Sequence, residues 1–217
     1  MSSPSPERGP ERAPERGSFL VIDGVDGCGK STQAKRLVRR LSDEGVNEVL
    51  HLREPGGTSL GEVLRELLLS REHAPTPAVE SLLFAASRRQ MLDELVEPAL
   101  ARGAWVVCER FHPSTFAYQA WAGELDPAAV MGLLEGWAGS PRPELVCVLD
   151  LPVESAARRR GEPTDRIEDK GLIFQQHVAE GYRVFAERYH EAVLLDGGQT
   201  PDAVAEAIWN EVQRIGF

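Results

Sequence analysis

Cysteine is scarce in this chain. Cys28, Cys108 and Cys147 are the only three, with no CxxC pair and no spacing that suits a metal. An odd set of that kind excludes a paired disulfide framework, and reduced thiols in a cytoplasmic protein are the simplest expectation. Cys108 and Cys147 fall in apolar runs, where a thiol packs as a small hydrophobe. Basic charge is also short: 24 Lys and Arg against 34 Asp and Glu leave a net −10. That deficit argues against nucleic acid or an acidic membrane as partner, because both need a basic face. An anionic substrate must then be drawn by a local arginine cluster. No apolar run approaches the ~20 residues of a membrane-spanning helix, and the first residues lack the apolar core of a signal peptide.

What is present suits one globular domain. Hydrophobic residues make up 42% of 217, enough for a sizeable core. Residues 1–17 differ: Pro-Glu-Arg repeats at Pro6, Pro10 and Pro14 with little to bury, so a disordered tail is expected there, with the domain spanning 18–217.

Short apolar runs at 19–23, 49–52, 105–108, 145–151 and 192–196 read as strands. Between them, segments at 30–45, 59–70, 77–102, 127–138, 153–160, 168–189 and 202–214 read as helices. In 59–70, Leu60, Val63, Leu64, Leu67 and Leu68 share one face, and Pro98 should kink or interrupt the long 77–102 segment. Such alternation implies a parallel sheet covered on both faces, with ligands at the carboxyl ends of the strands.

Gly24-Val25-Asp26-Gly27-Cys28-Gly29-Lys30-Ser31 matches GxxxxGK[ST] between a strand and a helix. Its backbone N–H groups and helix N-terminus suit a triphosphate, Lys30 suits the β- and γ-phosphates, and Ser31 suits Mg²⁺. Thr32 follows in the same turn. Cys28 opens a helix, a position that tends to depress a thiol's pKa, so alkylation of Cys28 that ATP prevents is expected.

Five further segments join the loop GVDGCGKSTQ in order: REPGGTSLGE (53–62), LLFAASRRQ (82–90), ERFHPSTFAYQ (109–119), LDLPVE (149–154) and DRIE (165–168). Together they resemble the thymidylate kinases over nearly all of 18–215. The resemblance implies a P-loop α/β sandwich of three layers, a five-stranded parallel sheet and a mobile lid at about 158–167. It implies transfer of the γ-phosphoryl group of ATP to dTMP, giving dTDP and ADP for dTTP biosynthesis. Asp26 is implied to accept from the sugar 3′-hydroxyl, and Arg53 and Arg110 to bind the acceptor phosphate. Phe84 is implied to lie against the pyrimidine and Arg88 to bind a base carbonyl. Thr115 and Gln119 are implied at the base edge, with Tyr118 crowding out a 2′-hydroxyl.

The chain departs from the family's usual Asp at Ser87 and at Glu109, the latter near Mg²⁺ with Ser31. A kinase for another nucleoside monophosphate, and an ATP-binding homologue with impaired transfer, are the alternatives these departures leave. Gly27 stands where one branch of the family carries a catalytic arginine, so the lid-arginine branch is implied. Arg160 is the first candidate for that role, beside Arg158 and Arg166. The family resemblance also implies a homodimer.

Overall fold

The computed structural model describes residues 16–217. Most of the expected tail lies outside those residues. At its end, Gly17 is buried and its N–H bonds to the Leu100 carbonyl at 3.0 Å, so the packed region begins a little before 18.

Five strands form one sheet: β1 (Phe19–Gly24), β2 (Val49–Arg53), β3 (Trp105–Glu109), β4 (Leu145–Asp150) and β5 (Ala192–Asp196). Their order is β2-β3-β1-β4-β5 and every pairing is parallel. β1 is buried throughout and β4 nearly so, as a parallel sheet covered on both faces requires. Strand order reverses at β1, which opens a crevice at its carboxyl end.

The helices are α1 (Lys30–Asp43), α2 (Ser59–Leu69), α3 (Pro77–Met91), α4 (Glu97–Ala101), α5 (His112–Thr115), α6 (Pro127–Trp137), α7 (Val153–Arg160), α8 (Gly171–Arg188) and α9 (Pro201–Arg214). Local chemistry sets several starts. Thr58, Thr76, Asp126 and Thr200 each accept a backbone N–H from the first turn, and Pro77, Pro127 and Pro201 stand at positions whose N–H needs no partner.

The expected interruption near Pro98 takes a particular form. A π turn, Leu92–Val96, joins α3 to α4, and the Glu97 N–H reaches back to the Leu92 carbonyl. The wider turn comes immediately before Pro98, which has no N–H to place.

One local reading changes, and one segment without an assignment gains one. The face expected on α2 divides: Leu68 is fully buried, while Leu60, Val63 and Leu67 are exposed beside Val79 and Leu82 of α3. Residues 112–121, which show no polar–apolar period, form α5 and a second π segment, Phe116–Trp121, in which Phe116 to Gln119 are all buried.

Candidate active site

The loop between β1 and α1 is shaped by glycine. Gly27 has φ 89°, and a Cβ there would lie 2.1 Å from the Ala156 carbonyl oxygen of α7. No side chain fits that position without the backbone shifting. Lys30 is buried and its Nζ donates to the Gly24 and Val25 carbonyls at 2.9 Å, with Asp26 Oδ1 at 3.4 Å.

Cys28 contradicts its expectation. Its side chain is buried, and burial pushes the thiol pKa up more strongly than Lys30 pulls it down. Desolvation outweighs the helix start and the nearby cation.

Beneath the loop, Asp23 is fully buried and organises the end of β3. It accepts from the N–H groups of Gly24, Phe111 and Ser114, from Ser114 Oγ and from the Tyr182 hydroxyl, at 2.8–3.1 Å. These bonds hold the turn in which Arg110 takes φ 69°, a rare value for a side-chain-bearing residue. Arg110 consequently faces Asp26, and its Nη2 hydrogen-bonds Asp26 Oδ1. Tyr118 donates to Asp26 Oδ2 at 3.1 Å. Burial alone would raise the Asp26 carboxyl, but Arg110 and Lys30 outweigh it and hold the group well below the usual carboxylate range.

A cavity opens beside this cluster. Asp26, Phe84, Arg88, Arg110, Thr115, Tyr118 and Gln119 all border it. Phe84 is half-buried in its wall rather than sealed in the core. Arg88 is 1% exposed; Nε and Nη2 grip both Glu54 oxygens at 2.7–3.0 Å, and Nη2 also reaches Thr115 Oγ1 at 3.1 Å. Arg88 Nη1 is buried with no partner among the described residues. Ser87 accepts from the Gly56 N–H at 3.3 Å, bracing the turn after β2, while Glu54 supplies the carboxylate that supports Arg88.

Arg53 is not brought into this wall. It is more than half exposed and only 3.9 Å from Glu62, while Arg65 of α2 borders the cavity and donates to the Pro55 carbonyl at 3.0 Å. Sequence reading missed Arg65, Asp23 and Glu54.

A second cavity runs along the loop from Asp26 to Gln33 and is also lined by Arg159, Gly197 and Gln199. Arg159 Nη1 donates to the Gly197 carbonyl at 2.9 Å, a placement sequence reading did not foresee. At the mouth of the loop Ser31 Oγ hydrogen-bonds Glu109 Oε2, and the other Glu109 oxygen lies 2.8 Å from His51 Nε2. Hydroxyl and carboxylate oxygens are the hard donors Mg²⁺ takes, and one or two such groups plus phosphates suffice for it.

The three arginines expected in the lid have separate placements. Among the described residues Arg158 bonds only Ser155 Oγ, at 2.9 Å, on an exposed face. Arg160 borders a cleft between Asp26 and Glu168, with its Nε buried and unpaired among the described residues. Arg166 donates to Glu80 at 2.7 Å and to the Leu68 carbonyl at 2.8 Å.

The Thymidylate kinase family model matches residues 22–208. The chain belongs to the thymidylate kinase family. It is 42% identical over 198 residues to the thymidylate kinase of Alkalilimnicola ehrlichii, covering 89% of this chain and 91% of that one. With the thymidylate kinase of Parasynechococcus marenigrum it is 43% identical over 209 residues, covering 92% and 99%. The solved structure of thymidylate kinase from Ehrlichia chaffeensis aligns with a TM-score of 0.75 at 27% identity, covering 91% of this chain and 99% of that one. A thymidylate kinase is a nucleoside monophosphate kinase, so the chain is a phosphotransferase that uses ATP, and the reading of a homologue without transfer is not favoured. No described helix is long and apolar enough to cross a membrane.

Proposed function

We propose that this chain transfers the γ-phosphoryl group of ATP to dTMP, within a single kinase domain spanning 18–217 and a lid at 158–167, in the cytoplasm. One observation carries the choice of acceptor. Arg88 Nη1, a donor in the buried wall, has no protein partner among the described residues, and the Gln119 amide nitrogen is committed to Glu80, which leaves its carbonyl end as the acceptor for the cavity that both residues border. A free donor and a free acceptor complement the O4 and N3–H of thymine. Cytosine presents an amino donor and a bare N3 at the same edge and is rejected.

The division of labour follows. The loop from Gly24 to Thr32 cradles the ATP phosphates, and Lys30 neutralises them. Phe84 lies against the base, Thr115 supports Arg88, and Tyr118 crowds the 2′ position. Arg110 and Arg53 attract the acceptor phosphate, with Arg65 nearer the cavity, and Asp26 accepts from the sugar. That phosphate is already anionic, so no strong base is required; catalysis is positioning plus charge neutralisation. Ser31 and Glu109 would hold Mg²⁺, which supplies charge neutralisation at the β- and γ-phosphates when bound. Arg160, whose Nε has no partner among the described residues, serves the transferring group.

The exposed Leu60, Val63, Leu67, Val79 and Leu82 on α2 and α3 form the face of a homodimer. The test of function is ADP release with dTMP, dUMP, dCMP, dAMP and dGMP offered in turn. Preference for dTMP is expected; preference for dCMP or a purine would overturn the base assignment.

A further inference from the structure

Glu80 is a carboxylate only 1% exposed on α3, and the mechanism above gives it no part. Its oxygens are divided. Oε2 accepts from Gln119 Nε2 at 2.8 Å; Oε1 accepts from Arg166 Nη1 at 2.7 Å and from Lys170 Nζ at 3.5 Å. Gln119 borders the acceptor cavity, whereas Arg166 and Lys170 belong to the chain between α7 and α8. One buried group therefore touches both the base wall and the lid segment.

A glutamine amide has a donor end and an acceptor end, and a flip exchanges them. An ionised carboxylate can only accept, so Glu80 takes the NH₂ end of Gln119 and leaves its carbonyl for the cavity. Arg166 and Lys170 supply the positive charge that a buried carboxylate needs. The same segment is tied to α2 by Arg166 on the Leu68 carbonyl, and to the turn after α2 by Arg71 on Asp169 at 2.7 Å. Docking of the segment and the charge on Glu80 thus support each other.

We propose that Glu80 is a positioning residue that holds the carbonyl end of Gln119 toward the acceptor base and, through Arg166, links base recognition to docking of the lid segment. This rests on the thymidylate reading of the cavity.

The test compares wild type with Glu80→Gln. It measures kcat and KM for dTMP and dCMP, and hydrogen exchange across 163–170 with and without dTMP. An amide at this position donates as well as accepts, so Gln119 loses its fixed orientation. The expected result is a fall of about tenfold or more in the preference for dTMP over dCMP. Most of it should lie in the KM for dTMP, and the protection that dTMP gives to 163–170 should be lost. A folded variant with preference and protection unchanged, beside a specific wild type, overturns the role of Glu80 alone. A wild type that accepts dCMP as readily as dTMP overturns the thymidylate reading and this inference with it. Should Glu80→Gln fail to fold, Arg166→Gln reads the same link from the lid side. Reduced preference for dTMP is expected, and unchanged preference overturns the proposal.

Discussion

Arg88 and Glu54 form a buried pair, 1% and 5% exposed, joined by three contacts of 2.7–3.0 Å. Removing one partner leaves an uncompensated buried charge. Glu54→Ala is expected to destabilise the chain by about 3–5 kcal/mol, read as a lower urea midpoint. The double substitution with Arg88→Met should recover much of that loss, because no charge is then left unpaired.

The arginines proposed for the lid separate by partner. Arg160→Ala is expected to lower kcat about 10³-fold, by the scale of other arginines that act on a transferring phosphoryl group. Arg158→Ala, which loses only Ser155, should leave turnover close to the parent. Steady-state kinetics at saturating ATP and dTMP distinguish the two, and little loss in Arg160→Ala would refute its assignment.

Cys28, Cys108 and Cys147 are all buried, and burial raises each thiol's pKa. Alkylation of the native chain at pH 7.5 is therefore expected to be slow at all three, and ATP should add little protection at Cys28. Mass spectrometry before and after unfolding checks this; rapid native labelling of Cys28 would show that the loop opens.

His112 is held neutral. Its Nε2–H donates to the Ala138 carbonyl at 3.0 Å and its ring stacks on Phe111 at 4.2 Å. Burial first, and the charge of Arg88 second, push its pKa from 6.5 down to about 3. Between those values the unfolded chain binds more protons than the folded one, so stability present above pH 6.5 is lost as pH falls toward 3. At pH 5 this group's share of the loss is about 2 kcal/mol. The gap in urea midpoint between wild type and His112→Asn should narrow from pH 7 to pH 5.

Local patterns carried the sheet, most helices and the phosphate loop, because each depends on residues close in the chain. Pairings that build the proposed acceptor site join distant residues: Glu54 with Arg88, Asp23 with Ser114 and Tyr182, Glu80 with Gln119 and Arg166. Nothing in the runs that hold them announces those partners. The α2 spacing showed an apolar face but not that Leu60, Val63 and Leu67 stay exposed. Segment 112–121 lacked a period because it is buried on most sides. The role of Arg53 was implied by the family resemblance; tertiary packing also puts Arg65 in the cavity wall, which nothing in its own run announces.

The reading of the base by Arg88 and Gln119 is tested most directly with a substrate altered at one atom. kcat/KM for dTMP should be compared with that for its N3-methyl analogue, which keeps O4 and lacks the N3 proton. A loss of at least about a hundredfold is predicted, because the Gln119 carbonyl is left facing a methyl group. Equal turnover of the two would contradict the account.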